Sequence, residues 1–341
     1  MNVKHKNTGL LILAGCLFAV CILCIGVFAH LAGLLDSQQA ASRWQGQQTQ
    51  SYTQVSCSFP ADQRAQTADI DAFRDSMKKK LSEMSLEHNG EIRLWNDAYS
   101  AQQELEVGSV HGSVKADAIG IGGDYFFFHP LPLQAGSYIS ETYFSQDRVV
   151  IDEQIAWKLF GSVDLAGMNL QINQKKFVIA GVVSHENDPF YKKDDQSKGT
   201  IYLPYDAFLN ITEAKITSYE VVLPDPIAKF GIKLVQDGFT HPQKEVIENK
   251  NRFHLRRILP LAMHPEQLLV HNTGIAYPDW ENAARRIQFR QIILVWIFFL
   301  SVVFPLGCAV RSLKQGIGQL NKWIQKQWNK LHEKENANHV E

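Results

Sequence analysis

The amino-acid sequence predicts a mixed α/β domain held between two membrane-spanning helices. Two stretches, residues 10–35 and 292–310, contain no Asp, Glu, Lys or Arg. Each is about long enough to cross a bilayer, for which roughly 20 apolar residues suffice. Between them, strand patterns of period two alternate with helical stripes. With 341 residues, 45% of them hydrophobic, the chain can form a sizeable core, which excludes a disordered chain.

The overall charge argues against nucleic acid as a partner. The formal net charge is -1 and the isoelectric point is near 6.9, so the chain has no general basic field that would attract a polyanion. The partner that the sequence does predict is the lipid bilayer, around residues 10–35 and 292–310.

Charges beside the two apolar stretches predict their orientation, because Lys and Arg accumulate on the cytoplasmic side. The flanks toward the chain ends carry Lys4, Lys6, Arg311, Lys314, Lys322, Lys326 and Lys330, and the flanks toward the middle carry Arg43, Arg285, Arg286 and Arg290. We therefore expect a two-pass protein of the cell (inner or plasma) membrane. Residues 1–9 would form a cytoplasmic N-terminus, 36–291 an extracytoplasmic domain and 311–341 a cytoplasmic tail.

The first apolar stretch has two other interpretations. A cleaved signal peptide has a shorter apolar core that ends at small residues, whereas this core continues past any such site. Residues 13–16 (LAGC) resemble a lipoprotein signal box, but Cys16 lies in the middle of the stretch. We expect an uncleaved anchor.

Cysteine usage limits how the domain is stabilised. Cys16, Cys21, Cys24 and Cys308 lie in the apolar stretches, which leaves Cys57 alone between them. An internal disulfide and a cysteine-based zinc site are therefore excluded in the domain. Cys57 is either a buried thiol, which we favour, or a partner in an intermolecular disulfide.

Residues 36–50 are polar and rich in Gln, a composition that could continue the first membrane helix as a stalk. Residues 52–59 then alternate as a strand does. Residues 68–87 predict a helix whose buried stripe consists of Ile70, Phe73, Met77, Leu81 and Met84. The lysines at 78–80 predict its solvated face.

Further strands are predicted at residues 91–95, 104–110 and 149–151, the last leading into a helix at 153–160. Residues 168–172 and 177–183 predict a hairpin around Asn173, Gln174 and Lys175. Beyond a polar loop at 184–198, strands are predicted at 200–203 and 219–223, and a helix at 227–235. This alternation predicts the α/β (α+β) class.

Short motifs occur in a fixed order along this region. They are residues 119–126 (IGIGGDYF), 133–136 (LQAG), 149–161 (VVIDEQIAWKLFG), 166–172 (AGMNLQI) and 177–183 (FVIAGVV), followed by 201–204 (IYLP). In this order they resemble the MacB-like periplasmic core domain of ABC-transporter permeases of the FtsX and MacB type. The resemblance extends over residues 40–285 and is densest at 104–210.

By this resemblance, the motif residues have structural rather than catalytic roles. They are Tyr125, Phe126, Gly136, Ala156, Leu159, Phe160, Gly161, Gly167 and Gly181. Gly161 and Gly167 stand where a positive φ or a close approach is needed, and Leu159 with Phe160 can fill the core. Residues 120–123 lack a following Gly-Lys-Ser/Thr, which favours a tight turn over a phosphate loop.

The resemblance also implies a domain that relays motion between membrane helices and a partner or substrate outside. Permeases of this family resemble one another in having four spans, whereas two are predicted here, and the sequence contains no Walker A motif. The implied partners are a separate ABC ATPase and either a second permease subunit or a second copy of this chain. Where the family often has Gly-Arg, this chain has Gly136 and Ser137, so that arginine and its role are missing.

The tail predicts a basic amphipathic helix, because apolar residues recur there with helical spacing and lysines occupy another face. It either lies on the inner membrane surface, which we favour, or docks on the ATPase. The residues that would dock are Leu313, Ile317, Leu320, Ile324 and Trp328.

Signals for catalysis, a cofactor or a metal are weak. Residues 185–188 (HEND) offer ligand-type groups, but in a polar loop without His-x-x-x-His spacing, and no Gly-x-Ser-x-Gly motif occurs. We predict a non-catalytic protein without cofactors. The alternative to a permease-like subunit is a membrane-anchored extracytoplasmic binding or sensor module that does not transport.

Overall fold

A computed structural model describes residues 3–47, 49–86, 93–139, 146–185, 198–269 and 274–338. The helices are α1 (Val3–Ala32), α2 (Ala40–Gln45), α3 (Thr67–Glu83), α4 (Tyr125–Phe128), α5 (Glu153–Phe160), α6 (Tyr205–Leu209), α7 (Phe230–Gly238), α8 (Leu255–Met263), α9 (Glu266–Leu269) and α10 (Asp279–Asn338), with a 3-10 turn at Asp36–Gln38. The strands are β1 (Tyr52–Ser58), β2 (Asn96–Ser109), β3 (Gly112–Gly123), β4 (Leu133–Gly136), β5 (Arg148–Asp152), β6 (Asn169–Ile172), β7 (Lys175–Val183), β8 (Gly199–Pro204), β9 (Ser218–Pro224) and β10 (Glu245–Glu248).

The strands of the described residues form one mixed sheet. Their order is β10-β1-β9-β2-β3-β8-β5-β7-β4, and β6 pairs with both β2 and β7. The pairs β3–β8 and β5–β7 are parallel, and the other pairs are antiparallel. This arrangement confirms the mixed α/β class predicted from the sequence.

Helices cover both faces of the sheet. On one face, residues of α3, α5 and α7 such as Phe73, Leu159 and Val235 pack with the strands in the larger apolar core. On the other face, α2 and α4 contribute Ala40 and Phe128 to a smaller core. Because both faces are covered, β1 and β9 are buried at every residue.

Local signals predicted several elements correctly. Helix α5 has the bounds predicted for it, because Asp152 accepts a hydrogen bond from the Ile155 N–H at 2.9 Å and Gly161 ends the helix with a φ of 67°. The predicted hairpin joins β6 and β7 through Asn173 and Gln174, whose φ angles are 46° and 65°. Lys175 therefore belongs to β7 rather than to the turn.

Three predictions about the first part of the domain are wrong. The chain does not continue as a stalk, since α1 ends at Ala32 and α2 instead packs on the sheet through the buried Ala40 and Ala41. Helix α3 ends at Glu83, so Met84 is 37% exposed and does not complete the buried stripe. Residues 93–95 are not a strand, while 91–92 lie outside the described residues.

The glycines at 120–123 do not form the predicted tight turn. Residues 120–123 all lie within β3, and of the three glycines among them only Gly123 has a positive φ, of 68°. A Cβ at Gly120 would come within 2.5 Å of the Phe208 ring, and one at Gly122 within 2.1 Å of the Tyr99 ring. These glycines are needed because aromatic rings lie directly against the strand.

Helices α1 and α10 are both long and apolar enough to cross a membrane. Helix α10 is a single element of 60 residues, which includes three turns before the second apolar stretch, that stretch, and the tail as far as Asn338. The helix continues without a break from the apolar stretch into the tail.

Candidate functional site

Both long helices meet the domain at one place, which we call the junction. It consists of the C-terminal end of α1, residues 249–254 ahead of α8, and residues 279–291 of α10. Its apolar part is formed by Leu31, Phe253, Ala283, Ala284 and Ile287, all of them buried.

Arg252 lies at the centre of the junction. Its guanidinium donates to both carboxylate oxygens of Glu281, at 2.6 and 2.7 Å. Glu281 also accepts from the Nε of Arg285 at 2.8 Å, and Arg285 donates a further bond to Glu245 at 2.6 Å. Arg252, Glu281 and Arg285 are 5%, 0% and 8% exposed. Two cations thus meet two anions, which makes the cluster neutral as a whole.

The spacing along α10 explains how these groups come together. Glu281, Arg285 and Gln288 follow one another at intervals of four and three residues, so they share one face of the helix. Gln288 accepts from the Nε of Arg252 at 3.0 Å. Glu245 comes from β10, which stands at the edge of the sheet. The ion cluster therefore ties α10 to the sheet itself.

Electrostatics keeps the cluster charged. Burial alone would raise the pKa of Glu281, but the guanidiniums of Arg252 and Arg285 outweigh burial and hold that pKa below its ordinary value. Burial would likewise lower the pKa of Arg285, and Glu281 and Glu245 raise it instead. Removing one partner would leave a buried charge uncompensated, which typically costs about 3–5 kcal/mol.

Two further side chains close the junction. The ring of Tyr277 lies under Arg285, with the guanidinium carbon 4.1 Å from the ring centroid, and its hydroxyl donates to Glu245. The amide of Gln291 donates to the carbonyl oxygens of Phe28 and Phe253, at 3.3 and 3.2 Å. Gln291 thereby joins α1, α10 and the segment before α8, directly ahead of the second apolar stretch.

A second buried polar group lies on the smaller core. The Nε2 of His129 is 2.5 Å from a carboxylate oxygen of Glu220 on β9. Gln54 on β1 donates to the other oxygen of Glu220 at 3.3 Å and to the Ser37 carbonyl at 2.7 Å. The His129 ring is also 5.4 Å from the ring of Trp280, in the first turn of α10. His129 thus links Glu220 on β9 to the first turn of α10.

The predicted motif residues divide between this polar group and the body of the fold. The ring of Tyr125 lies 4.5 Å from that of His129, whereas Phe126 packs 5.3 Å from Tyr202. Gly136 and Gly181 oppose each other across β4 and β7. The remaining motif residues lie on α5 or beside its core, namely Ala156, Leu159, Phe160, Gly161 and Gly167.

Close backbone contacts explain the motif glycines. Gly136 has a φ of 75°, and a Cβ there would lie 2.2 Å from the Ala180 carbonyl oxygen. A Cβ at Gly181 would lie 2.5 Å from the Ser137 carbonyl oxygen. Gly167 has a φ of 87°. These glycines allow close backbone packing within the sheet and its turns, and they do not contact the junction.

The tail stripe lies far from the junction. The side chains of Leu313, Ile317, Leu320, Ile324 and Trp328 are between 49% and 64% exposed along α10. Leu313 follows Arg285 by 28 helical residues, which corresponds to about 42 Å along the axis. The helix connects the two regions, but no side chain of one touches the other.

Most of the junction was not predicted from the sequence. Arg285 was identified only as a charge flanking an apolar stretch, and no role was predicted for Arg252, Glu245 or Glu281. One signal was present, since Glu281 and Arg285 form an i,i+4 pair on a helix face that also carries the apolar residue Ala284. A charge pair on an apolar face indicates a buried partner.

No catalytic constellation emerges from the described residues. Among them, no group of three His, Cys, Asp or Glu side chains could hold a metal ion. His185 lies 2.8 Å from Asp152, which caps α5, and residues 186–188 lie outside the described residues. Cys57 is 0% exposed, and burial raises its pKa to about 12, which agrees with the predicted buried thiol.

The sequence profile of a family described as the MacB-like periplasmic core domain matches residues 16–229. Among solved structures, the periplasmic region of MacB from Actinobacillus actinomycetemcomitans is 19% identical, with a TM-score of 0.42 over 58% of this chain and 89% of that one. The extracellular domain of the noncanonic ABC-type transporter YknZ from Gram-positive bacteria is 14% identical, with a TM-score of 0.40 over 57% of this chain and 99% of that one.

A domain of a putative permease protein from Porphyromonas gingivalis is 13% identical, with a TM-score of 0.32 over 57% of this chain and 88% of that one. No curated protein matches the sequence.

Proposed function

Since this chain belongs to the family of MacB-like periplasmic core domains, we propose that it is a non-catalytic membrane subunit that relays motion between a cytoplasmic ABC ATPase and the outside of the membrane. The family is a non-catalytic, permease-type component of ABC transporters. Transport and mechanical transmission without transport both fall within this proposal.

The proposed topology has two passes through the cell membrane. Residues 10–35 and 292–310 cross the bilayer, residues 36–291 form the extracytoplasmic domain, and residues 1–9 and 311–341 are cytoplasmic. The lysines beyond the two apolar stretches support this orientation, because positive charge favours the cytoplasmic side. Two spans are too few to enclose a channel, so the working unit includes a second permease subunit or a second copy of this chain.

The observation that carries the relay is the buried ion cluster of the junction. Rotating or sliding α10 against the sheet would separate Arg285 from Glu245 and Glu281 from Arg252, leaving charges buried without partners. Because of that cost, a movement of α10 would move the domain with it at a lower free energy than a movement of α10 relative to the sheet. A mechanical relay requires such stiffness at the point where membrane helices and domain meet.

The tail is the segment through which the ATPase would act. Its apolar stripe is exposed to the cytoplasm in this topology, at Leu313, Ile317, Leu320, Ile324 and Trp328. Exposed apolar stripes of this size on a helix commonly mark a partner surface. We assign this stripe to the contact with the ATPase.

Co-purification tests the proposal. The full chain is tagged at its C-terminus, native membranes are solubilised in mild detergent, and the recovered proteins are identified by mass spectrometry. We expect an ATPase with a Walker A motif, with or without a second permease. The variant Ile317→Ser/Leu320→Ser should lose the ATPase. The matched control Gln319→Ser lies on the opposite side of the same helix and should retain it.

Recovery of the chain without an ATPase would overturn the relay and favour a membrane-anchored binding or sensor module. Recovery of the ATPase by the serine variant would retain the relay but remove the apolar stripe from the contact.

A further inference from the structure

Helix α8 has an unusual position for a helix of an extracytoplasmic domain. Ile258 and Ala262 are buried against Ile292 and Val295, which lie in the first turn of the second predicted span. Phe28, near the outer end of the first span, packs against the same cluster. Helix α8 therefore lies beside both membrane helices at the level where they enter the bilayer.

Besides Ile258, Leu261 is partly buried against the same cluster, whereas the other large apolar side chains of α8 are exposed. Leu255 is 55% exposed, Leu259 40% and Met263 66%. They follow one another at intervals of four residues, so they form one stripe along the helix. A stripe of three large exposed apolar side chains on a nine-residue helix calls for an apolar partner.

The angular order of the residues identifies that partner. At about 100° per residue, the exposed stripe directly adjoins the face of Ile258 and Ala262 that contacts the spans. The apolar arc of α8 is thus continuous, with one part on the spans and the other turned outward beside them. Next to a membrane span, at its depth, the surrounding medium is lipid.

We infer that α8 is an interfacial helix whose Leu255, Leu259 and Met263 insert into the outer leaflet of the membrane. Helices of this kind lie in the plane of the interface, about 5–10 Å deep. Trp296 supports this depth, because it is 49% exposed one residue beyond Val295, and tryptophan accumulates at membrane interfaces.

The charge on the polar arc of α8, which lies opposite its apolar arc, agrees with this placement. Arg257 points away from the apolar arc and pairs with Glu248 on β10. Arg256 lies between this polar arc and the apolar stripe, where its guanidinium can reach lipid phosphates while its stem lies along the membrane. The inference rests on the two spans and not on the relay, so it holds or fails independently of the ATPase.

Site-specific fluorescence in vesicles tests the insertion. In the full chain, Cys16, Cys21, Cys24 and Cys308 are replaced by Ala, and buried Cys57 is kept. Single cysteines are introduced as Leu255→Cys, Leu259→Cys or Met263→Cys and labelled with a polarity-sensitive fluorophore. Each protein is reconstituted in phosphatidylcholine vesicles that carry nitroxides on their acyl chains. Protection of Cys57 from labelling verifies that each variant is folded.

Two matched controls use the same background. Arg257→Cys places the probe on the polar arc of α8, and Val110→Cys places it on the β2–β3 turn, where the native side chain is 93% exposed. We expect the three stripe probes to emit at shorter wavelengths and to be quenched by lipid nitroxide about threefold more strongly than the controls. Equal quenching of stripe and control probes, together with equal quenching by aqueous iodide, would overturn the insertion.

Discussion

At the scale of single residues, Glu281 is a carboxylate that is completely buried and depends on its two arginine partners for compensation of its charge. It is fully buried on α10 and accepts hydrogen bonds from Arg252 and Arg285, which approach it from different segments. Both guanidiniums donate to its carboxylate. Stability of the junction should therefore depend on the charge of this side chain more than on its size.

The substitution Glu281→Gln preserves the shape of the side chain and removes its charge. Arg252 and Arg285 would then share the buried site with Glu245 as the remaining carboxylate, so we expect a loss of about 3–5 kcal/mol in the free energy of unfolding at neutral pH. Thermal unfolding of the full chain in detergent measures this loss. Glu266→Gln is the control, because the Glu266 side chain is 64% exposed and contributes little.

The same carboxylate predicts an acid dependence. The pKa of Glu281 is lower in the folded chain than the ordinary value of about 4.3. Its contribution is therefore complete above about pH 4.3 and is lost as the pH falls through the folded pKa. The wild-type chain should lose stability in this range more steeply than Glu281→Gln. Parallel pH profiles for the two proteins would contradict the assignment.

At the scale of elements, the sequence correctly predicted the helices and strands whose bounds are set by local interactions. The cap at Asp152 and the stop at Gly161 fix α5, and the alternation over residues 52–58 fixes β1. Tertiary contacts decided the elements that were missed. Residues 36–47 fold back because Ala40 and Ala41 are buried on the sheet, which their polar neighbours conceal in the sequence. Arg252 and Glu281 are 29 residues apart, and only the fold brings them together.

Helix α3 allows a direct test of the difference between predicted and observed stripes. Met77 is 0% exposed, whereas Met84 follows the end of the helix and is 37% exposed. Met77→Ala should destabilise the domain by about 2–5 kcal/mol through the cavity it leaves. Met84→Ala should change stability by less than about 0.5 kcal/mol. Denaturant unfolding of both variants measures the two free energies of unfolding. Similar losses in the two variants would show that Met84 is part of the buried stripe after all.

At the scale of the whole molecule, two apolar helices and a mixed α/β domain between them were predictable from hydropathy and periodicity. The order of the strands was not, because pairings such as β1 with β9 join segments more than 150 residues apart. Nor was the continuity of α10, since a span and an amphipathic tail look the same in sequence whether or not the helix is broken between them.

The proposed topology predicts which surfaces can be labelled from outside. Val110→Cys should react with a membrane-impermeant maleimide on intact cells, because Val110 is 93% exposed on the extracytoplasmic domain. Lys322→Cys, in the tail, should react only after the membrane is permeabilised. Mass shifts of the purified variants report the labelling, and reaction of the tail cysteine on intact cells would reverse the orientation.

The unbroken course of α10 has a consequence for force. Its 60 residues, at about 1.5 Å each, give a lever arm of roughly 90 Å with its pivot at the sheet. A tilt of about 10° at the pivot moves the far end by about 16 Å. In the proposed relay, displacements of nanometre size at the far end of α10 would become small rotations of the domain. Pro305, where the helix loses a backbone hydrogen bond, is the point at which this lever would bend.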